Sequence, residues 1–152
     1  MMLFRQLFDK TSSTYTYLVV SGKGREALII DPVLENVDNY INLLNELNLK
    51  LVKVIDTHIH ADHITGASKL KDQTKCITIM GDHTPADAVE IKVKDEEIIK
   101  LDQLKIKALP ISSLVSTTFN LSLLSWLVSC ASTIGTRTML LLLLLFFHIT
   151  IL

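Results

Sequence analysis

Three histidines and an aspartate fall within six residues, His58, His60, Asp62 and His63, directly after an apolar run, Leu51–Asp56. This stretch constrains the chain more than any other. The run reads as a buried strand. Side chains two apart in extended chain point to the same side, so His58 and His60 can converge on one point. Asp62 and His63 follow a change of direction and can face a neighbouring point. Imidazoles and carboxylates are the ligands preferred by borderline metals such as Zn²⁺ and Fe²⁺. A lone histidine in a polar loop mostly satisfies local hydrogen bonds; three with an aspartate at this spacing read as a metal site.

The elements around the motif follow from pattern. Leu3–Phe8 suits a first strand. Thr14–Val20 and Arg25–Ile30 are rich in β-branched, aromatic and aliphatic residues, and Ser21-Gly22-Lys23-Gly24 between them predicts a hairpin. Asp31-Pro32 ends the third strand, because proline donates nothing to a ladder. Val37, Tyr40, Ile41, Leu44 and Leu47 recur at helical spacing, with Asn36 as the expected cap and Asp38 at the positive end. A helix between two strands predicts a parallel βαβ unit, with the histidines at the carboxyl end of its second strand. Ile64, Ala67 and Leu70 or Lys71 suggest a short helix after the motif, and Gly66 weakens it. Cys76–Met80, Val89–Val93, Glu97–Leu101 and Leu104–Ala108 read as further strands. His83, in the turn Gly81–Pro85, reads as a surface histidine with no partner ligand nearby.

The motif carries a family resemblance. His-X-His-X-Asp-His after a strand resembles the metal motif of the metallo-β-lactamase fold. The longer Thr57–Gly66 text, with Phe4-Arg5-Gln6-Leu7-Phe8 and Ile30-Asp31-Pro32-Val33, resembles the persulfide dioxygenases, a glyoxalase II-like branch of that superfamily. The resemblance runs from about Leu3 to Pro110. It implies an α/β (α+β) fold, the N-terminal half of an αββα sandwich. It also implies one Fe²⁺, with Zn²⁺ as the alternative, and oxidation of glutathione persulfide by O₂ to sulfite and glutathione. His58 matches the first iron ligand and His60 lies close to that site. Asp62 and His63 match residues that hold a second metal in binuclear relatives such as glyoxalase II, whose thioester hydrolysis is the alternative activity. Asp31 reads as hydrogen-bonding support behind the ligands or, equally, as a turn carboxylate.

Composition sets the remaining expectations. A net charge of -1 without a basic stripe argues against nucleic acid. Two cysteines, Cys76 and Cys130, give no disulfide framework and fit a reducing compartment, the cytoplasm. Cys76 is expected to be a buried thiol. Met1–Lys10 lacks a long apolar core and does not read as a secretory signal.

After Pro110 the text changes. From Ile111 to Leu152 Arg137 is the only formal charge, and Leu140–Leu145 is an unbroken leucine run. The Gly-His and Thr-Gly-Asp segments implied by the resemblance are absent. His148, inside Leu144–Ile149, is not in a ligand setting. The expected division is therefore a partial metallo-β-lactamase-like domain at 1–110 and an aberrant apolar tail at 111–152. Two readings compete for the tail: a reading-frame shift near Pro110, or a membrane-anchoring segment. Met139–Phe147 gives only nine residues before His148, short of the ~18 expected for a span. The halt of the resemblance in mid-domain, without a linker, favours the shift. On this reading the chain supplies at most one of three expected iron ligands. Weak metal binding, no persulfide-dependent oxygen uptake and aggregation are the expected behaviour. A non-catalytic membrane-associated remnant is the third alternative.

Overall fold

The computed structural model describes residues 2–22, 25–82, 84, 89–109 and 149–151. They belong to two compact units, Met1–Lys94 with Lys100–Leu104, and Asp95–Ile99 with Lys105–Leu152. The boundary expected at Pro110, the leucine run, Cys130, His83 and His148 lie outside the described residues.

The first unit is a six-stranded sheet in the order β1-β2-β3-β4-β5-β6. β1 (Leu3–Asp9) pairs antiparallel with β2 (Thr14–Val20), which pairs antiparallel with β3 (Glu26–Ile30). Tyr17, Leu18, Val19 and Val20 are all buried, so β2 is covered on both faces. The chain then crosses through α1 (Val37–Glu46) to β4 (Lys50–Ile55), which lies parallel to β3. A second crossing, α2 (Ala67–Thr74), leads to β5 (Ile77–Gly81), parallel to β4, and β6 (Ile91–Val93) continues parallel to β5. The mixed α/β class and the βαβ unit are as expected from pattern. Strand ends move by one or two residues.

The apolar stripe of α1 explains its docking. Val37, Tyr40 and Leu44 are buried and share a core with Leu18, Val20, Ala27, Ile29, Leu51, Val54 and Leu70. Asn36 behaves differently from the expected cap. A 3₁₀ turn, Leu34–Asn36, precedes the helix, and the Asn36 side chain makes no capping bond. Its amide nitrogen instead donates to Asp9 Oδ1 at 2.9 Å, tying the helix entrance to the end of β1. Past the α1 cap, Leu47, the chain turns away at Asn48, whose φ of 50° is a left-handed conformation that asparagine tolerates. Cys76 is buried, 2 % exposed.

A separate three-stranded sheet consists of β7 (Ile98–Leu101), β8 (Leu104–Ala108) and β9 (Ile149–Ile151), with β9 antiparallel to β8. Among the described residues no helix is long and apolar enough to cross a membrane.

Candidate metal centre

β3 and β4 are parallel neighbours, so both deliver a carboxylate at the same end of the sheet: Asp31 just after β3 and Asp56 just after β4. Both are buried. Asp31 has φ 52°, a left-handed conformation that turns the chain sharply before Pro32. Its backbone is pinned from two sides. Its N–H donates to Ile55 O at 2.8 Å, and its carbonyl accepts from Thr16 Oγ1 at 2.7 Å. Thr16 in turn meets the buried Tyr40 hydroxyl at 3.0 Å, so α1 braces the same point.

The histidine loop hangs from these two carboxylates. Thr57 donates its N–H to Asp31 Oδ1 at 2.7 Å and its hydroxyl to Asp31 Oδ2 at 2.8 Å. Thr65 Oγ1 lies 2.8 and 3.0 Å from the two oxygens of Asp56 and accepts from Ala67 N–H at the start of α2. The backbone closes the far end: Gly66 N–H donates to Pro32 O at 2.7 Å and Leu34 N–H to Ile64 O at 2.9 Å. A Cβ on Gly66 would stand 2.6 Å from Val37 Cγ2 and 3.2 Å from Val33 O, so this approach requires glycine. Residues 57–65 are thus a closed loop anchored at both ends.

Within it the rings cluster. His58 and His60 have centroids 4.3 Å apart, and His60 and His63 4.2 Å. His60 lies with Nε2 3.1 Å from Asp31 Oδ1 and Nδ1 3.8 Å from Asp62 Oδ1. A carboxylate only accepts, so Nε2 carries the proton and Nδ1 keeps a lone pair in the neutral ring. Burial opposes a charge on His60. The Asp31 hydrogen bond and charge, with Asp56 and Asp62, outweigh it and raise its pKa. Asp62 is held by Thr14 Oγ1, which donates to Oδ2 at 2.7 Å and stands 3.3 Å from His63 Nδ1. That hydrogen bond, with the one from His63, lowers the Asp62 carboxyl to about 2. Burial pushes Asp56 up to about 6 against the Thr65 hydrogen bond, with Asp31 adding repulsion.

Two triads have ligand atoms within 4.8 Å of one another: His60, Asp62 and His63, and Asp31, Asp56 and His60. His58 belongs to neither. Its Nδ1 meets Thr57 Oγ1 at 2.8 Å, and its ring lies against His60. The fit to a cation can be tested on one atom. His63 Nε2 is buried and has no hydrogen-bond partner among the described residues. A buried ring nitrogen left unpaired costs about 1–3 kcal/mol, and coordination of a divalent metal removes that cost. Together with the unprotonated Nδ1 of His60 and the Asp62 carboxylate, the donor set fits a borderline metal.

Pattern alone did not single out Thr14, Asp56 or Thr65 as contributors. Thr65 and Asp56 flank the motif and could be found by asking which side chains close the loop. Thr14 is 48 residues from Asp62, and nothing in the text links the two.

Comparison with known proteins agrees with this geometry. Residues 10–112 match the metallo-beta-lactamase superfamily. The chain is similar to the persulfide dioxygenase ETHE1, mitochondrial, of Mus musculus, 50% identical over 70 residues, 46% of this chain and 28% of that protein. It is also similar to a hydroxyacylglutathione hydrolase of Dictyostelium discoideum, 33% identical over 97 residues, 62% of this chain and 35% of that protein. The crystal structure of ETHE1 from Myxococcus xanthus superposes with a TM-score of 0.66 at 42% identity, covering 69% of this chain and 46% of that one. The chain spans less than half the length of the curated relatives it matches. With that match over most of its length, and the histidine loop folded at the carboxyl end of β4, the chain belongs to the metallo-β-lactamase superfamily.

Proposed function

We propose that the chain carries the histidine-rich part of a persulfide dioxygenase centre, with His58, His60, Asp62 and His63 as the metal-facing set and Asp31 holding it from behind. The observation that carries the metal part is the buried Nε2 of His63, unpartnered among the described residues, beside the His60 ring, which in turn packs on His58. The persulfide part rests on the 50% identity to the mouse persulfide dioxygenase over 70 residues. The overall reaction is oxidation of a small thiol persulfide, glutathione persulfide, by O₂ with one water to sulfite and glutathione. When bound, Fe²⁺ supplies the redox chemistry, whereas Zn²⁺ supplies Lewis acidity alone.

The chain's own residues set the donors. Asp31 fixes the His60 tautomer, Thr14 orients Asp62, and the Asp56–Thr65 bond sets the loop's span. The resemblance calls for a further histidine and aspartate, and residues 111–152 contain no aspartate and only His148. We therefore propose that the 152-residue chain by itself holds metal weakly and turns over no persulfide. An oxygen electrode with glutathione persulfide and the iron-loaded chain tests this: no uptake above iron alone is expected, and sustained turnover overturns it. Iron or zinc bound in the micromolar range and lost on His63→Ala supports the metal-facing set.

A binuclear thioester hydrolase is the second reading, favoured by the His60, Asp62 and His63 triad and the hydroxyacylglutathione hydrolase relative. Cleavage of an acyl-glutathione thioester by a zinc-loaded, longer relative, without oxygen uptake, would select it. The charge balance gives no role to nucleic acid. The proposed compartment is the cytoplasm, from the cysteine content; fractionation tests it, because the mouse relative is named as mitochondrial. Membrane contact through 111–152 and the non-catalytic remnant stand as alternatives, tested by alkaline carbonate extraction.

A further inference from the structure

β1 is the edge of the six-stranded sheet, and its second side is paired with no strand among the described residues. A seven-residue edge is a template for another strand unless charge blocks it. The charges of this edge are arranged to do something other than block. Leu3, Arg5, Leu7 and Asp9 alternate onto the face that carries α1, since Leu3 and Leu7 pack on that core and Arg5 is paired in register with Leu18. Arg5 and Asp9 are therefore of opposite sign, on one face, and equidistant from Leu7. Arg5 is exposed, and no ion pair among the described residues takes it up. Beside this edge lies a cavity of about 370 Å³, lined by Leu7, Phe8, Asp9, Asn36, Asn39 and Leu43 among others. It offers the Asp9 carboxylate and the Asn36 and Asn39 amides to a cation, and Phe8, 52 % exposed, is among its lining residues.

We propose that β1 is a self-association surface: two copies pair antiparallel through this edge about a two-fold axis at Leu7. In that register Arg5 faces the partner's Asp9 twice over, Leu7 faces the partner's Leu7, and Phe8 faces the partner's Gln6. The β1 residues that then face each other on the α1 side, Arg5 with Asp9 and Leu7 with Leu7, are either opposite in charge or apolar, which no register shifted by one residue achieves. Shifting the axis to Gln6 sets Arg5 against leucine and Asp9 against leucine. The partner's Arg5 guanidinium, with five donors, enters the cavity where the Asp9 carboxylate and the Asn36 and Asn39 amide oxygens can accept. The contact is isologous, so it closes at two copies and does not propagate. A single strand pair is a small interface, so dissociation constants on the order of micromolar are expected.

Sedimentation velocity of the 152-residue chain across a concentration series tests this. The unaltered chain is expected to pass from monomer to dimer. Arg5→Glu and Asp9→Arg are each expected to weaken association by roughly tenfold or more, because like charges then face each other twice. An equimolar mixture of the two variants is expected to associate again, since each restores opposite signs against the other. Asp9 also binds Ser12 and Asn36, so a second measurement keeps the native charges. Oxidation of Leu7→Cys in a Cys130→Ser background is expected to give a symmetric cross-link, and Gln6→Cys is not. A monomer at every concentration overturns the proposal. So does association indifferent to both charge reversals, a mixture that does not recover, or cross-linking at Gln6→Cys as readily as at Leu7→Cys. A foreign extended peptide bound to β1 of a persistently monomeric chain would likewise count against it.

Discussion

Both carboxylate oxygens of Asp31 are taken by Thr57, one by its backbone N–H at 2.7 Å and one by its hydroxyl at 2.8 Å, while Oδ1 also lies 3.1 Å from His60 Nε2. One buried aspartate thus starts the histidine loop and orients its central ring. Asparagine in its place keeps a single acceptor and points N–H groups at a donor. Asp31→Asn is expected to lower stability by about 1–3 kcal/mol, the cost of unsatisfied buried groups. It is also expected to weaken zinc binding by roughly 10–100-fold, as loss of a supporting carboxylate does elsewhere. Urea unfolding and zinc titration calorimetry measure the two effects separately. Unchanged zinc affinity would show that Asp31 is only a turn residue.

Gly66 is required by space, not by torsion. Its φ is -83°, which any residue adopts, yet an added Cβ meets a Val37 methyl at 2.6 Å and a backbone oxygen at 3.2 Å. Val37 is fully buried and stiff at χ1, so it cannot swing away. Gly66→Ala is expected to cost about 1–3 kcal/mol by overpacking. Val37→Ala should relieve most of the added strain when combined with it. A double-mutant cycle in urea checks the coupling; strictly additive losses would place the strain elsewhere.

These residues show what the text could and could not convey. Spacing announced the loop, because ligands for one ion must sit close in sequence or in space, and here four candidates sit close in sequence. The α1 stripe and the β-branched strands were legible for the same reason: each has one period and one face to bury. Asn36 misled, because the oxygen a cap would use accepts from the Asn39 side chain at 3.1 Å while the nitrogen is turned to the distant Asp9, an orientation that only the tertiary fold sets. Thr14 was illegible, since its role exists only once β2 lies beside the loop. His58 was read as converging with His60; its ring does lie against His60, but β4 stops at Ile55, and a bent loop rather than a continuing strand orients it.

Cys76 provides a pH prediction away from the loop. Burial raises its thiol above the ordinary value of 9.0, opposed by hydrogen bonds from Thr74 and its own backbone and reinforced by Glu90. A raised folded pKa means that the neutral thiol's contribution to stability is fully present below the unfolded value. It is lost as pH rises through the folded one. Native-state iodoacetamide labelling, read by peptide mass, should therefore modify Cys76 slowly at pH 8, with a sharp increase in urea. Stability should decline above pH 9 in the unaltered chain and less in Cys76→Ala. Fast native labelling at pH 8 would contradict the burial.

Thr14 is the cheapest residue to change and the most specific test of how β2 serves the loop. Its hydroxyl donates to Asp62 Oδ2 and touches His63 Nδ1, so it sets the orientation of two of the four residues proposed to face the metal. Asp62 is about half exposed, so the bond is worth little to folding: Thr14→Val is expected to change stability by no more than about 1 kcal/mol. The loop's order should suffer more than the fold. Without the hydroxyl, Asp62 and the His63 ring are free to rotate, and zinc affinity is expected to fall by roughly tenfold. Thr14→Ser, which keeps the donor, should retain most of the affinity. Calorimetric zinc titration of the three proteins, with urea unfolding as the control, separates the outcomes. Equal affinity for valine and serine would mean that the loop orders itself and that β2 contributes only packing.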